Sequence, residues 1–454
     1  MDDNHLKDPL KLLFWVVVVL LLLGFVPRMM VGDIELRHVN LLSDINPAED
    51  VDNELAGLPK PKPAFKDSCP PGMTCIEDYA DTGSSGMVHF YEALSHLKTL
   101  GRPVRIAYFG DSYIEGDILV GSLRHLLQKK YGGDGVGLVD IDPEFPGIKL
   151  TVLQNAGGWG KHYLNGSSGY DASKAGPAQS YFIPSNGAYT EATGVRKPYA
   201  GQLDTFEVAS IYLKSSSPVG LEACADGRVT QAFRSRGTGA VEAVRFERRM
   251  GKVRWTVKSA GNSLFYGMAL EGKSGISVDN FSKRATSGAN LQQLPATTLR
   301  QFNAARPYDL VILHFGLNVA GKNMLKYGPY VKQMSKVIST IKQGFPDAGI
   351  LVVSVGDREG KLDDGELHTL PGIKALVRYQ QELAADNGVA FWNLYEAMGG
   401  EGSMTVMVNA KPSMGRMDYT HINWLGGEKL AGIFFKALTW GQQQYEKRKK
   451  YEAQ

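Results

Sequence analysis

Apolar positions follow two rhythms along the chain. Residues 104–109 (VRIAYF) make a largely apolar run of strand length, and Gly110-Asp111-Ser112 ends it abruptly. A helical rhythm follows, with Ile118, Leu119, Leu123, Leu126 and Leu127 on one face. The same order returns at residues 310–315 (LVILHF), ended by Gly316-Leu317-Asn318. The next helical face carries Tyr330, Val331, Met334, Val337, Ile338 and Ile341. The spacing then predicts a strand at 350–355, a helix near 371–386, a strand at 389–394 and a last helix near 423–445. Strands alternating with helices predict an α/β fold, a parallel sheet covered on both faces. Such sheets build sites at the carboxyl ends of their strands, where Ser112 and Asn318 both fall.

Between about 150 and 275 the texture changes. Glycine-rich stretches (NAGGWG, LNGSSGY) give way to short alternating runs at 206–213, 241–246, 253–257 and 264–270. That pattern predicts an inserted antiparallel β-sandwich. Its aromatics, Trp159, Tyr163, Tyr170, Tyr181, Trp255 and Tyr266, could stack on sugar rings, although core positions are the commoner fate of such residues.

The N-terminus differs again. Residues 12–26 (LLFWVVVVLLLLGFV) are uncharged, with Lys11 before them and Arg28 after. The run is short for a span of about 20 residues and also fits the apolar part of a signal peptide. No small-x-small cleavage site follows, which favours an uncleaved anchor. The expected compartment is therefore periplasmic, anchored in the inner membrane, or secreted if the segment is cleaved. The expected organisation is an anchor or signal segment over 1–31, a Pro-rich linker over 32–85, a first α/β part over 86–150, the β insertion over 151–275, a second α/β part over 276–446 and a charged tail over 447–454. Cys69 and Cys75, within the linker, could close a small loop in an oxidising compartment. Composition narrows the picture further. The 454 residues are 43% hydrophobic with a net charge of +3, enough for a large core and without a general pull toward nucleic acid. Three cysteines and no CxxC pair leave no zinc site of that kind.

Three motifs carry candidate chemistry. Ser112 follows a strand end and precedes a helix, so its hydroxyl points into a cleft. Serine is a poor nucleophile until a base takes its proton. In Asp418-Tyr419-Thr420-His421, the histidine can be that base and the carboxylate three residues earlier can fix its tautomer. Asn318 offers an amide that can be aimed at the negative oxygen of an acyl-transfer transition state. Each motif alone is weak evidence: a capping serine and a surface Asp/His pair are ordinary features. Asp357 follows the strand at 350–355 and could also face the cleft, though a structural role is more usual. His314 lies within a strand and reads as a satisfied core residue.

Taken together, in the order Ser, Asn, Asp-His, the motifs resemble those of the SGNH (GDSL-type) hydrolase family. RIAYFGDSYIEGD, with Gly116-Asp117 after the serine, and DYTHINWLGG most resemble its bacterial peptidoglycan O-acetylesterase-like branch. The resemblance covers about residues 88–445 and implies a flavodoxin-like sheet. It implies Ser112 as nucleophile, His421 as general base and acid, and Asp418 as its orienter. The oxyanion hole would use the Ser112 N–H, Asn318 and a third N–H that the family takes from a glycine. Here Ala285 stands at that place, and it can still donate if its φ stays negative. Asp111, Tyr113 and Gly316 would lie around the pocket. No cofactor is implied. The implied partners are an O-acetylated glycan as substrate and the membrane through the N-terminal segment. A glycan O-acetyltransferase working with a membrane-bound O-acyltransferase is the alternative, and a silent glycan-binding protein is a third reading.

Overall fold

The computed structural model describes residues 68–80, 86–166, 169–197, 199 and 201–452, with 11–16, 30–31 and 34–35 nearer the N-terminus. The chain divides into two compact units, Met1–Pro59 and Lys60–Gln454. In the first, residues 11–16 are helical, and Met30–Val31 pairs antiparallel with Ile34–Glu35. Residues 17–26 of the expected anchor lie outside the described residues. Among the described residues no helix is long and apolar enough to cross a membrane.

The second unit runs β1 (Glu77–Asp78), α1 (Val88–Ser95), β2 (Val104–Gly110), α2 (Val120–Tyr131), β3 (Gly137–Val139), β4 (Val152–Tyr163), β5 (Ser180–Gly194), β6 (Phe206–Ser215), β7 (Gly220–Ala225), β8 (Val229–Arg234), β9 (Val241–Met250), β10 (Lys252–Ser259) and β11 (Ser263–Glu271). It continues with β12 (Ile276–Ser282), α3 (Ala296–Ala305), β13 (Leu310–His314), α4 (Gly328–Gly344), β14 (Gly349–Val353), β15 (Glu359–Lys361), β16 (Leu367–Thr369), α5 (Pro371–Asp386), β17 (Ala390–Trp392), α6 (Leu394–Met398), α7 (Ser403–Asn409) and α8 (Trp424–Glu452). The charged stretch expected as a tail over 447–454 thus continues α8 as far as residue 452.

One sheet has the order β12-β2-β13-β14-β17-β1. Its first five strands are parallel and β1 closes the edge antiparallel. Counting only the parallel strands, the order is 2-1-3-4-5, the flavodoxin arrangement, with its switch point between β2 and β13. The register aligns Ser282, Gly110, His314, Val353 and Trp392 side by side. All five strands therefore finish level, and the loops after them share one rim. Every residue of β2 is buried. On one face, Ile106, Tyr108, Val278, Ile312 and Leu351 pack with Phe90 of α1, Leu123 of α2 and Phe434 of α8. On the other, Phe109 stacks on Phe281 at 4.8 Å, and α3, α4 and α5 supply Phe302, Val337 and Leu376. Each such buried side chain stabilises by about 1.5–3 kcal/mol, which makes the sheet a firm platform for its rim.

The insertion is antiparallel, but it is one nine-stranded sheet where two were expected. Its main path is β8-β7-β10-β5-β11-β6-β9, with β3 added to β11 and β4 to β5. Phe233 of β8 and Phe246 of β9 lie at opposite ends of that path, yet their rings meet at 5.6 Å. The sheet is therefore rolled over its own core. Tyr163, Tyr181, Trp255 and Tyr266 are all buried, so four of the six aromatics considered for sugar stacking are packing residues. Trp159 is half-buried and donates its indole N–H to the Tyr189 carbonyl at 2.7 Å.

A buried ionic cluster joins the two sheets. Arg105 on β2 pairs with Glu271 on β11 at 2.9 Å, and Arg306 bridges Glu271 at 2.9 Å and Asp279 of β12 at 2.7 Å. Burial alone would raise the Glu271 pKa, but the two guanidiniums prevail and hold it down to about 2. The expected linker also ends early. Cys69 and Cys75 form a disulfide, the Trp392 indole donates to Thr74 O at 3.0 Å, and β1 joins the sheet beside β17.

Candidate active site

The site is built on the rim, beginning at the switch point. β2 ends at Gly110, where a Cβ would stand 2.9 Å from the His314 carbonyl oxygen of β13, so only glycine fits. Ser112 comes two residues later. The turn beyond it includes Gly116 at φ +66°, where a Cβ would meet the Ile148 carbonyl at 2.8 Å. Asp117, also left-handed at φ +66°, is fixed by Arg124 at 2.8 Å, Thr151 at 2.6 Å and Asn280 at 2.7 Å. Burial opposes its ionisation, but the Arg124 charge keeps its carboxyl well below the usual range. The Gly-Asp pair after the serine therefore pins the turn that presents Ser112.

Asp418 and His421 lie on the loop between α7 and α8. A bridge between Gly415 and Ile422 closes this loop, and the Glu359 N–H donates to the Tyr419 carbonyl at 3.0 Å. Gly426 and Gly427 begin α8 where a Cβ would lie 2.1 Å from Met414 O and 2.0 Å from Ile118 O. The paired glycines of the LGG motif thus bring α8 against the turn after Ser112. The result is a chain of three groups. Ser112 Oγ is 3.2 Å from His421 Nε2, and His421 Nδ1 is 2.7 Å from Asp418 Oδ2. The other carboxylate oxygen, Asp418 Oδ1, accepts the N–H groups of Thr420 and His421, both at 3.0 Å. Burial would raise the Asp418 pKa, but hydrogen bonds from His421 and Thr420 hold it below the ordinary carboxylate range. An ionised Asp418 requires the proton on Nδ1, which leaves the Nε2 lone pair facing the Ser112 hydroxyl.

The remaining expected residues divide. By sheet order, the loops after β12 and β13 flank Ser112, and they carry Ala285 and Asn318. The Asn318 amide donates to the Thr286 carbonyl at 3.1 Å, tying these loops together; its second hydrogen has no partner among the described residues. Ala285 has φ +52°, so the condition of a negative φ is not met. A non-glycine residue there costs about 1–2 kcal/mol, which explains why a glycine suits that position. Gly316 has φ +141°, and a Cβ there would fall 2.7 Å from Val355 Cβ. Asp111 is buried beneath the serine and accepts the Tyr113 N–H at 3.0 Å. Burial pushes its carboxyl up to about 6, with the N–H groups of Tyr113, Leu317 and Gly316 limiting the rise. Tyr113 borders the cleft, but its hydroxyl reaches inward to Met398 Sδ at 3.5 Å. Asp357 does not face the cleft. It is buried and binds Thr369 at 2.7 Å and the Met404 N–H at 2.9 Å, at the start of α7. His314 is a core residue within 3.1 Å of the Tyr108 hydroxyl.

A cleft of about 550 Å³ opens over Ser112 and His421. Ile118, Ile148, Leu150, Ile422 and Trp424 form apolar walls, and Glu115, Arg284 and Arg416 supply charge. Of these side chains only Ile118 was named from the sequence, and then as part of a helix face. Glu115 and Trp424 lie inside the two quoted motifs and Arg416 two residues before Asp418, so closeness to a motif was the available signal. A base held against a serine hydroxyl in an open cleft can carry out acyl transfer.

No family model matches the chain, and no curated protein does. Among solved structures, a peptidoglycan O-acetylesterase aligns with a TM-score of 0.65 and 19% identity, over 81% of this chain and 99% of its own. The chain has the fold of that protein. A family two carbohydrate esterase from Clostridium thermocellum, in complex with cellohexaose, aligns at 12% identity over 58% of this chain and 95% of its own, with a TM-score of 0.27. An acetyl xylan esterase aligns at 15% identity over 36% and 81%, also at 0.27. These two overlaps are too partial to support an argument, and the first establishes the fold alone.

Proposed function

We propose that the chain is an extracytoplasmic serine esterase that removes O-acetyl groups from a cell-wall or surface glycan through an acyl-serine intermediate. The observation that carries this reading is the Ser112–His421–Asp418 chain, at 3.2 Å and 2.7 Å, on the rim of that fold. Ser112 Oγ attacks the acetyl carbonyl carbon as its proton passes to His421 Nε2. The new negative oxygen is met by the Ser112 N–H and the free amide hydrogen of Asn318. Collapse breaks the bond to the sugar oxygen, which takes the proton from His421. Water then attacks the acetyl-serine and gives His421 a proton. Acetic acid leaves as Ser112 Oγ recovers that proton, and ionises to acetate in water. The disulfide Cys69–Cys75 and the apolar run over 12–26 support an oxidising compartment reached through an N-terminal anchor.

The test uses the full chain with 4-nitrophenyl acetate and O-acetylated peptidoglycan, with and without a chitooligosaccharide acceptor. Release of free acetate from both, independent of acceptor, is expected. Acetylated oligosaccharide with little free acetate would replace the esterase with a transferase fed by a membrane-bound O-acyltransferase. Glycan binding without turnover would leave a binding protein.

A further inference from the structure

The charged side chains around the cleft differ in how they are paired. Glu115 is committed to Arg284, whose Nε approaches both its carboxylate oxygens at 2.5 and 2.6 Å. Asp418 is held by the His421 ring at 2.7 Å. Arg416 also lines the cleft, is exposed, and joins no ion pair among the described residues. Its backbone is firmly placed: the Arg416 N–H donates to the His421 carbonyl at 2.8 Å, and its carbonyl accepts the Tyr419 N–H at 3.1 Å. The cleft therefore presents a guanidinium that stands in no ion pair among the described residues, on the same loop that carries His421. Opposite charges beside it stand in pairs, and the walls, Trp424 and Leu150 among them, are apolar. A guanidinium is a planar fork that matches a carboxylate. An indole beside apolar side chains suits the flat face of a sugar ring.

We infer that Arg416 is a specificity-determining residue that binds a carboxylate carried by the acetylated sugar, so that the substrate is an acidic glycan. This inference rests on the esterase reading. The carboxylate has two chemical sources: the ring carboxyl of a uronic acid, or the lactyl ether carboxyl of a muramic acid that carries no peptide.

The experiment measures kcat and KM of the full chain on O-acetylated N-acetylmuramic acid, on O-acetylated glucuronic acid, and on the methyl ester of each, which is the same sugar without the charge. At least one acid should exceed its methyl ester by about tenfold in kcat/KM, the size of one charge-assisted hydrogen bond, with the difference in KM. The pair that shows the preference identifies the source. In Arg416→Gln the acid-to-methyl-ester ratio should fall toward one, and Arg416→Lys should restore part of it. If wild type cleaves the methyl esters as well as the acids, the inference is overturned and the esterase reading stands. If Arg416→Gln lowers acids and methyl esters together and keeps their ratio, Arg416 only supports the His421 loop, which also overturns it. If no ester of any kind is cleaved, the esterase reading fails and this inference with it.

Discussion

The rim of the parallel sheet and the interior of the rolled sheet are built from similar materials and do different work. Both rest on buried strands, and both cores are dense with aromatics. At the rim, five strands stop level and hand over to loops held by special backbone: Gly110, Gly116, Gly316 and the left-handed Asp117, Ala285 and Tyr419. In the rolled sheet the strands run long and the large side chains turn inward, Trp255 fully. Reactive groups gather where a rigid sheet ends, and stability gathers where a sheet closes on itself. Damage to the two regions should therefore read out differently.

The largest separation is expected from Asp418→Asn, which keeps the loop's shape and reverses the tautomer it selects. Ester hydrolysis should fall about 10⁴-fold while the Tm moves little. Comparable loss of activity and of stability would erase the distinction between the regions. The mirror experiment is Trp255→Ala in the rolled sheet. Chemical denaturation should show a cost of about 3–5 kcal/mol, with kcat of the folded protein within about twofold of wild type. Asn318→Ala returns to the rim. A drop of roughly 10²–10³ in kcat is expected if the amide meets the oxyanion, and an effect below about threefold would remove it from that role.

The smallest effect concerns pH. Burial lowers the His314 pKa to about 3, well below that of an exposed histidine. The unfolded chain then binds more protons than the folded one between those values, so stability is fully present above about 6.5 and falls with acid by roughly 1.4 kcal/mol per pH unit. Denaturation midpoints from pH 7 to 4 should show this slope diminished in His314→Gln. An unchanged slope would assign acid sensitivity elsewhere, with Glu271 contributing only below about pH 4.5, as its pKa is held down to about 2.

The parallel strands β2, β13, β14 and β17 were legible because burial on both faces writes a continuous apolar run. β12 was not, because Ser277, Asp279 and Asn280 interrupt the run. Those polar residues are buried for specific partners, Arg306 among them, that only the folded chain supplies. β4 and β5 were hidden by glycine-rich and half-exposed sequence. The rolling of the sheet depends on a meeting of β8 with β9 that no local pattern encodes. Within the site, Ser112, Asp418 and His421 were legible because their motifs, each ordinary alone, occur together in one order that resembles a known family. Arg416 and the Glu115–Arg284 pair were not, since an exposed charge looks the same in sequence whether it faces a cleft or open water.

The central claim is that the hydroxyl of Ser112 attacks the ester. Its most direct test is to treat the full chain with a serine-directed alkyl fluorophosphonate and locate the adduct by peptide mass spectrometry. One adduct per chain is predicted, on the peptide containing Ser112, forming in step with loss of ester hydrolysis and absent from Ser112→Ala. An adduct on another residue, or undiminished hydrolysis by Ser112→Ala, would contradict the account.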